Sequence, residues 1–397
     1  MAFLVNAYNW WQGVNQVKAE LKKDEKTFRF GILGAARINY MAFIDPVQTH
    51  PGATIVAIAA REKKRAQGQI DSYSLGTECK AYGSYAELLA NPDVDAVYIP
   101  LPNGLHCEWT VKALEAGKHV LLEKPFTSNA EQARQVRDAA ERTGKVALEA
   151  YHWRFHPATH TVKSIIESGK YGYPTAVSVS MILPAGIVGK GDIRLKYDVG
   201  GGSAMDLSYQ FSACTHLGCR PSDLPKSTIR VLEAVPRINA QDSKIDEALT
   251  TNFVIEQEGK PAVKCRTQGS LVPLPFLGFI PRFWNFQTSV EVELEKAKVE
   301  YQGFVLPTFG HKIIVTEKES GKKTTEKVYV DGPVWGKRGQ PWWTTYRYQL
   351  EAFVEAVRAK ESGEKYKGPW VGLDESEKVM STIDLVYEKA GLPRRGL

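Results

Sequence analysis

The sequence lacks the features that mark secreted, membrane-spanning and nucleic-acid-binding proteins. Its five cysteines include no C-x-x-C pair, and their odd number favours free thiols in a reducing compartment such as the cytoplasm. No apolar run approaches the length that crosses a bilayer, so we expect no membrane partner. The net charge of +6 is spread over 397 residues, which argues against a nucleic-acid partner but suits a small anionic cofactor or substrate.

Internal repeats, low-complexity tracts and metal motifs are also missing. His152, His156 and His160 lie close together in sequence, but their spacing follows a predicted helix start, and we predict no metal. With 43% hydrophobic and 24% charged residues, the composition is that of an ordinary globular protein. The length predicts two domains.

Residues 1–27 differ from the rest of the chain. Trp10 and Trp11 precede a basic amphipathic stretch over 14–23, which would suit either a transit peptide or a helix docked on the core. The acidic residues in this region argue against transit. We therefore predict a docked N-terminal extension or an arm that contacts another subunit.

The stretch Phe28–Asn39 predicts a strand, a tight turn and the start of a helix. It keeps only the first glycine of the dinucleotide pattern G-x-G-x-x-G, because alanine and asparagine occupy the other two positions. A second buried strand, predicted over 54–60, follows at the distance that a βαβ unit requires. Since the N–H groups at such a helix start attract a pyrophosphate, we predict a dinucleotide site there. Its turn residues are Gly34, Ala35, Ala36, Arg37 and Ile38.

The end of the second predicted strand favours NADP over NAD. An acidic residue that binds the ribose usually ends this strand, but Ala60 stands there and Arg61 follows, with further bases at 63–65. The planar guanidinium of Arg61 could pair with a 2′-phosphate, although a solvated helix start is the alternative. We predict NADP as the cofactor, with NAD as the second choice.

The next predicted strand, over 95–100, leads into a turn at the edge of the sheet that binds ligands in doubly wound folds. We predict that this turn passes its backbone along the nicotinamide end of the cofactor. A histidine at a helix start more often caps or packs than catalyses. The predicted cofactor contacts in this turn are Pro100, Leu101, Asn103 and His106.

The stretch Val120–Phe126 predicts a buried parallel strand with a lysine at its exit. Three apolar residues are followed by Glu123 and Lys124, and Pro125 disfavours a helical backbone at the lysine. Ser128–Glu131 then predicts a capping box and a helix that starts at once. We interpret Lys124 as a positioned functional group, and a surface ion pair at a strand end is the alternative.

After residue 150 the regular alternation of strands and helices stops. Antiparallel strand patterns dominate, with four helices around them, and such a sheet has one covered and one open face. The predicted strands lie at 175–183, 227–235, 249–256, 262–270, 289–294, 298–305, 312–316 and 327–330, and the predicted helices at 161–167, 204–217, 346–359 and 374–390.

We therefore predict an α/β protein of two domains that follow the extension 1–27. Residues 28–150 would form an N-terminal Rossmann dinucleotide-binding domain. Residues 151–397 would form a C-terminal α+β domain with a large, mostly antiparallel open sheet, which binds the substrate. The helix over 374–390 is a candidate to pack back on the first domain. We expect a homodimer or a larger homo-oligomer through the open sheet.

Together these segments resemble the Gfo/Idh/MocA oxidoreductase family, over residues 28–392. The branch they resemble is that of the fungal NADP-linked D-xylose dehydrogenases and the dimeric trans-dihydrodiol dehydrogenases. The motifs that carry the resemblance are Gly31–Ile38, Glu123-Lys124-Pro125, Tyr151–Phe155 and the glycine run 200–202 that leads to Asp206.

The resemblance implies hydride transfer between NADP and a carbinol or carbonyl carbon of a sugar or related polyol. It also implies a role for each matching residue. Lys124 would contact both the nicotinamide end and the substrate hydroxyl, and Glu123 would hold the nicotinamide ribose. Arg154 would help to fix the cofactor at the domain junction, and Asp206 would orient the substrate and the acid/base group.

The sequence departs from the family's pattern at the acid/base position. The family has histidine or tyrosine four residues beyond the aspartate, where this chain has Gln210, which cannot exchange a proton. On a continuous helix, the third and fourth residues after Asp206 lie roughly 60° to one side of it and 40° to the other. Tyr209 would then share the aspartate's face and act as the acid/base. In the alternative, Tyr209 packs against the sheet, Gln210 binds a ligand, and Lys124 works alone.

We expect the substrate pocket to combine the reacting groups with aromatic walls, although each aromatic residue alone is more often part of a core. A tyrosine with its ordinary pKa of about 10 is a weak base at neutral pH. We therefore expect the charge of Lys124 to lower the pKa of Tyr209. The predicted substrate-binding residues are Lys124, Trp153, Tyr197, Asp206 and Tyr209, with Trp284 and Trp335 as further candidate walls.

Two alternative functions stay open at this point. The first keeps the chemistry but changes the substrate to an aromatic trans-dihydrodiol, or to a ketone or imine of specialised metabolism. The second is a dinucleotide-binding sensor or regulator without turnover. Gln210 keeps the second alternative open, whereas the intact Lys124 and Asp206 favour an enzyme.

Overall fold

The structure is a computed structural model that describes residues 2–189, 191–220, 222–277, 280, 282–283 and 286–396, with side chains from residue 5 onward. The described strands form two sheets, one of six strands and one of eight. Buried apolar side chains from both sheets and from the helices around them form one continuous core. No helix in the described ranges is both long and apolar enough to cross a bilayer.

The N-terminal extension forms two short helices, α1 (Ala2–Trp11) and α2 (Val14–Glu20), that pack on the chain's own core. The Asn9 amide donates to Asp45 Oδ1 over 2.6 Å. The Lys23 ammonium donates to three backbone carbonyls at 2.8–2.9 Å, those of Val47, His50 and Ala53. These bonds hold the extension against the segment that follows the first strand.

The first sheet is parallel and has the strand order β3-β2-β1-β4-β5-β6, which confirms the predicted Rossmann fold. Its central strands are buried on both faces, as their apolar runs predict. The strands are β1 (Phe28–Leu33), β2 (Ala53–Ala59), β3 (Lys80–Tyr82), β4 (Ala96–Ile99), β5 (His119–Leu122) and β6 (Ala147–Glu149). The helices between them are a π-helical turn (Tyr40–Ile44), α3 (Asp45–Gln48), α4 (Lys63–Ser72), α5 (Tyr85–Leu89), α6 (His106–Glu115) and α7 (Ala130–Thr143).

Helix α7 begins one residue later than the predicted capping box requires. Asn129, not Ser128, is the N-cap, and its side chain accepts the N–H of Gln132 at 2.9 Å. The Gln132 side chain in turn accepts the N–H of Ser128 at 3.1 Å. This reciprocal pair satisfies the amides of Ser128 and Gln132, and Glu131 pairs instead with Arg134 at the surface.

The second sheet is mixed but mostly antiparallel, as predicted, with the order β14-β13-β12-β11-β7-β10-β9-β8. Among the described strands of this second sheet, only β7 and β10 pair in parallel. The strands are β7 (Pro174–Ile182), β8 (Thr228–Asn239), β9 (Asp242–Glu256), β10 (Val263–Ser270), β11 (Gln287–Leu294), β12 (Ala297–Gln302), β13 (Lys312–Glu317) and β14 (Lys323–Glu326).

The predicted strand over 327–330 is wrong. The last strand is β14, which pairs antiparallel with β13. Just beyond it, the N–H of Val328 donates to His311 Nε2 at 2.8 Å. Because this backbone N–H donates to a side chain, it cannot join the β13–β14 hydrogen bonds, and the strand ends before residue 327.

Within the described part of the chain, the α-helices that accompany the second sheet are α8 (Pro157–Glu167), α9 (Ser203–Asp206), α10 (Tyr209–Gly218), α11 (Thr345–Glu361) and α12 (Leu373–Lys389). The predicted single helix over 204–217 is in fact two, because Leu207 (φ −96°, ψ 29°) leaves the helical region. Helix α11 returns to the first sheet, where Phe353 packs on Phe30 with ring centroids 5.9 Å apart. Helix α12 lies beside α7, and Asp384 accepts the N–H of Ala130 at 2.9 Å.

Candidate active site

Lys124 lies just after β5, where the first sheet meets α9. Its ammonium donates to the backbone carbonyl of Asp206 at 2.8 Å and to the Oδ1 atom of the same residue at 3.1 Å. The side chains of the pair are only 15% and 17% exposed. The motif lysine and the motif aspartate, 82 positions apart in sequence, therefore form one partly buried ion pair.

The Asp206 carboxylate also binds a second cation. Its Oδ2 atom accepts from Arg194 Nε at 3.1 Å, and Arg194 itself is held by Asp192 at 3.1 Å. Burial would raise the pKa of Asp206, but the charges of Lys124 and Arg194 outweigh burial and hold this pKa below its ordinary value. The carboxylate is thus ionised at neutral pH. Arg194 could not be predicted as a site residue, because nothing in its local sequence distinguishes it from other loop arginines.

The glycine run places Asp206 through a buried anchor. Gly202 has φ +130°, and a Cβ there would lie 2.3 Å from Asp246 Oδ1 and 2.9 Å from Arg395 Nη2. Asp246 accepts the N–H of Ala204 at 2.8 Å, at the first turn of α9. It also pairs with Arg395 at 3.0 Å, and both side chains are fully buried. Only glycine fits between this ion pair and the turn.

The residues predicted to follow β4 brace the sheet edge. Asn103 donates to the carbonyl of Gly200 at 2.9 Å and so joins this turn to the glycine run. The His106 ring nitrogens lie 2.7 Å from the Pro125 carbonyl and 2.8 Å from that of Leu101. Burial lowers the pKa of His106 to about 4. The structure therefore uses these side chains to hold the loops on either side of Lys124.

The turn after β1 has the features that a bound pyrophosphate requires. Gly34 has φ +124°, and a Cβ there would lie 3.1 Å from Leu101 Cδ2. Asn39, at the third glycine position of the pattern, donates to the Gly34 carbonyl at 2.8 Å and holds the turn from behind. Within the described residues, the amide N–H groups of 35–38 have no hydrogen-bond acceptor. These free amides fit an anionic group at the start of a helix.

Arg61 lies at the end of β2, exposed, on the side of the sheet where the turn after β1 opens. Its charge, with that of Arg65, reaches Tyr85, whose pKa is raised by burial against the opposing effect of the two arginines. Arg61 therefore offers a cation at the strand end where a ribose-binding acid would otherwise stand.

Glu123 lies partly buried beside Lys124, and both of its carboxylate oxygens are hydrogen-bonded. Tyr98 of β4 donates to its Oε1 atom at 2.7 Å, and the backbone N–H of Lys124 donates to Oε2 at 3.3 Å. Burial raises the pKa of Glu123, although the charge of Lys124 opposes this effect. Tyr98 is a further site residue that sequence analysis missed.

Tyr209 is the aromatic residue beside the Lys124–Asp206 pair. The expected continuous helix is absent, because Asp206 ends α9 and Tyr209 begins α10. Even so, the Lys124 ammonium lies 5.2 Å from the centroid of the Tyr209 ring. The phenol oxygen lies 2.8 Å from His152 Nε2.

The expected lowering of the Tyr209 pKa is wrong. Burial raises this pKa well above its ordinary value, and the nearby Tyr346 and Glu123 add to the effect. The ammonium of Lys124 is already paired with Asp206, so it does little for the phenol. Tyr209 is therefore a neutral phenol in the resting site.

Gln210 points away from Lys124. Its amide nitrogen contacts the Leu207 carbonyl at 3.3 Å and lies against Gly269 of β10, where a Cβ would be 2.5 Å from it. Of the two candidates for the acid/base position, the structure thus brings Tyr209 to the lysine and Gln210 to the sheet.

Arg154 and Tyr197 anchor the surrounding segments. Arg154 pairs with Glu375 of α12 and donates to the Trp370 carbonyl at 3.4 Å. The Tyr197 hydroxyl donates to the carbonyl of Arg394 at 2.6 Å. Both side chains lie near the junction of the two sheets but are held by protein groups.

The predicted tryptophan walls belong to the core. Trp153 is 0% exposed, and its ring packs edge-on against His216 and Phe304. Trp335 is buried and donates its indole N–H to the Phe155 carbonyl at 2.7 Å. Neither ring can line an open pocket in this structure, and Trp284 lies outside the described residues.

The chain is similar in sequence to known oxidoreductases. The profile of the oxidoreductase family with an NAD-binding Rossmann fold, GFO_IDH_MocA, matches residues 28–151. A D-xylose 1-dehydrogenase (NADP(+)) of Haloferax volcanii is 33% identical over 365 residues, which cover 91% of this chain and 97% of the relative. A D-xylose 1-dehydrogenase (NADP(+)) of Hypocrea jecorina is 40% identical over 119 residues, 30% of each chain.

A solved structure shares the fold over nearly the full length. The 3-ketoreductase KijD10 of Actinomadura kijaniata, in complex with NADP and TDP-benzene, has a TM-score of 0.71 at 23% identity. The similarity covers 92% of this chain and 98% of the ketoreductase. At this level of identity it shows the fold.

Proposed function

Because this chain belongs to the Gfo/Idh/MocA family of oxidoreductases, we propose that it is an NADP-dependent oxidoreductase that acts on a carbinol or carbonyl carbon of a sugar or related polyol. One observation carries the proposal: the partly buried Lys124–Asp206 ion pair lies at the exit of β5, next to a neutral phenol. In doubly wound sheets this edge is where ligands bind.

The cofactor is NADP. The free amides of 35–38 would hold its pyrophosphate, and Arg61 would pair with the 2′-phosphate by its planar fork. Glu123 would hold the nicotinamide ribose, which places the nicotinamide end towards Lys124. When bound, the cofactor supplies or accepts the hydride. The whole-length relative from Haloferax volcanii is named for the same cofactor.

The protein's part is to position the substrate and to handle one proton. The paired ammonium of Lys124 would donate a hydrogen bond to the reacting oxygen, and Asp206 would keep that ammonium in place. Since Tyr209 keeps its proton in the resting site, it can donate that proton to a carbonyl oxygen during reduction. Oxidation of a carbinol uses the same groups in reverse. We assign Gln210 no proton, because it lies against β10.

A sugar or polyol is the substrate class that the relatives support. The two D-xylose 1-dehydrogenases are named for an aldose, and the solved structure with the same fold is named a 3-ketoreductase. An aromatic trans-dihydrodiol is the alternative for the same chemistry. A panel of aldoses, polyols and trans-dihydrodiols, read by the absorbance of reduced NADP, separates the two classes.

The test of the proposed function is Lys124→Met. Methionine keeps the length of the side chain but removes the ammonium, so we expect turnover to fall by about 100-fold or more. The dissociation constant for NADPH, measured by fluorescence, should change less than about threefold. The control is Lys112→Met, an exposed lysine of α6 paired with Glu108, which should leave turnover unchanged.

Near-normal turnover of Lys124→Met would remove this residue from the chemistry. If the wild-type chain binds NADPH but converts no member of the panel, the non-catalytic sensor is the better assignment. The sensor alternative rested on Gln210, which cannot exchange a proton. Because Gln210 lies against β10 and Tyr209 lies beside Lys124, this lack of a proton does not argue against an enzyme.

We also propose that the protein is a homodimer that assembles through the second sheet, in the cytoplasm. Helices α10 and α12 cover one face of this sheet, whereas on the other face of β11 Gln287 is exposed and Ser289 is half-buried. The outer strand β8 adds exposed apolar side chains, Leu232, Val235 and Ile238.

Five buried free thiols suit a reducing compartment. Light scattering should give twice the 44.2 kDa chain mass.

A further inference from the structure

A buried histidine stands behind the phenol of the reacting cluster. His152 lies on the turn between β6 and α8, and its Nε2 atom is 2.8 Å from the Tyr209 hydroxyl. Its Nδ1 atom is 2.8 Å from the hydroxyl of Thr345, the first residue of α11. All three side chains are buried, and the imidazole also lies over the Tyr346 ring with centroids 4.0 Å apart.

The imidazole of His152 is neutral. Burial lowers its pKa to about 3, and the charge of Lys124 acts in the same direction. A neutral imidazole donates from one ring nitrogen and accepts at the other. The two hydroxyl partners can each donate or accept, so the chain from Thr345 to Tyr209 has two consistent directions.

The two directions place the phenol hydrogen differently. When Nδ1–H donates to Thr345, Nε2 accepts the O–H of Tyr209, and the phenol hydrogen points away from Lys124 and the reacting group. When the Thr345 O–H donates to Nδ1, Nε2–H donates to the phenol oxygen. The phenol hydrogen is then free to face the substrate.

We propose that His152 is a positioning residue for proton transfer by Tyr209, and that it acts as the Nε2–H tautomer, which the Thr345 hydroxyl supports by donating to Nδ1. The inference rests on the proposed function. His152 touches neither substrate nor cofactor, and its part is to set where the phenol hydrogen points and to support the phenol oxygen once it is charged.

The proton and electron balance of the step is simple. In carbonyl reduction, the hydride that the cofactor supplies adds to the carbonyl carbon, and the C=O π electrons move onto oxygen. That oxygen takes the proton of Tyr209, whose O–H bond breaks and leaves a phenolate. The phenolate then receives the Nε2–H hydrogen bond of His152, and it regains a proton from solvent after the product leaves.

Functional variants test the role of His152. His152→Leu removes both hydrogen bonds, and we expect kcat to fall by about 100-fold, with KM for substrate changed less than about threefold. His152→Gln, which can donate from its amide, should recover part of that loss. One limb of the kcat–pH profile reports the ionisation of Tyr209. Its apparent pKa should rise in His152→Leu, because the phenolate loses the hydrogen bond from the imidazole N–H.

The matched control is His160→Gln. His160 is also a buried histidine, but its Nε2 contacts the Arg154 carbonyl at 2.8 Å and not Tyr209. Its substitution should lower stability without moving the pH profile. In a Tyr209→Phe background, His152→Gln should cause no further fall in kcat, because the two residues act as one unit. Equal effects of the His152 and His160 variants on the profile, or additive effects with Tyr209→Phe, would refute the inference.

A measurement without turnover separates this inference from the proposed function. In ¹⁵N-histidine spectra of the cofactor-free protein, Tyr209→Phe should shift the Nε2 resonance of His152 and leave those of His160 in place. An unchanged His152 resonance would show that the chain is absent. If the resonance shifts but the wild type converts no substrate, the chain stands and the proposed function fails.

Discussion

At the scale of the residue, the Asp206 carboxylate binds two cations at once. Lys124 approaches one oxygen and Arg194 the other, each at 3.1 Å. Because both oxygens are used, the carboxylate has no freedom to rotate towards the phenol and take its proton. The ammonium, for its part, stays fixed at the edge of the sheet. The geometry thus separates a fixed positive charge from a neutral proton donor within one small site.

Arg61, the exposed cation at the end of β2, should affect the binding of NADP but not that of NAD. Arg61→Ala removes one charge-assisted contact to a 2′-phosphate, worth roughly 1.5–3 kcal/mol. We expect KM for NADP to rise by about 10-fold or more, while KM for NAD stays within about twofold. Steady-state kinetics with both cofactors measures this shift.

A matched control is Arg230→Ala, since Arg230 is an exposed arginine on β8 that pairs with Glu256. It should leave both values unchanged. If KM rises equally for NADP and NAD in Arg61→Ala, Arg61 does not bind the 2′-phosphate.

The residues that sequence analysis found are those with a local signal. Lys124 follows an apolar strand and precedes proline, and Asp206 follows three glycines, so each stands out in its own segment. Arg194, Tyr98 and His152 have no such signal. Their roles come from partners at least 12 positions away, and only the fold brings those partners together.

At the scale of the element, the break between α9 and α10 decides which side chain reaches the lysine. No proline or glycine marks this break, since the residues concerned are Leu207 and Ser208. The helical pattern of the sequence therefore continues through it. The break could not be predicted because its cause is tertiary: Asp246 fixes the start of α9, while α10 packs on β7.

The glycine before α9 gives a prediction about stability. Gly202→Ala places a Cβ within 2.3 Å of Asp246 Oδ1, at a backbone φ of +130°. It should disrupt the buried pair with Arg395 and lower the free energy of unfolding by about 3 kcal/mol or more. Urea unfolding followed by circular dichroism measures the change.

Gly144→Ala is the control for this experiment, because it introduces backbone strain without a steric contact. Gly144 ends α7 with φ +66°, but a Cβ there would meet no atom within 4 Å. It should cost only about 1–2 kcal/mol, from backbone strain. Equal losses in the two variants would mean that the buried ion pair tolerates the added methyl group.

At the scale of the whole molecule, α11 ties the two parts of the chain together. Glu351 of this helix accepts from Arg347 at 2.6 Å and lies 3.3 Å from His50 Nε2, at the end of α3. Burial would raise the pKa of Glu351, but His50 and Arg347 outweigh burial and lower this pKa to about 2.

This pairing predicts a stability that depends on pH. The folded-state pKa of about 2 lies below the ordinary value of 4.5, so the contribution is fully present above about pH 4.5 and is lost as the pH falls towards 2. Glu351→Gln should therefore lower the free energy of unfolding by roughly 2–3 kcal/mol at pH 7, and by progressively less below pH 4.5.

Urea unfolding of both proteins between pH 7 and pH 3.5 measures this convergence. Glu361→Gln, a change to an exposed glutamate near the end of the same helix, should give a small difference at every pH. A difference for Glu351→Gln that stays constant with pH would mean that the charge of Glu351 does not link the two parts.

The burial of Arg395 against Asp246 has a consequence for synthesis on the ribosome. The side chain of Arg395 is fully enclosed and also donates to the Gly201 carbonyl at 2.7 Å. A nascent polypeptide that has not yet emerged as far as residue 395 leaves an enclosed carboxylate without its counter-ion. The turn that presents Asp206 can thus mature only once residue 395 is free of the exit tunnel, although the turn itself emerges almost 200 residues earlier.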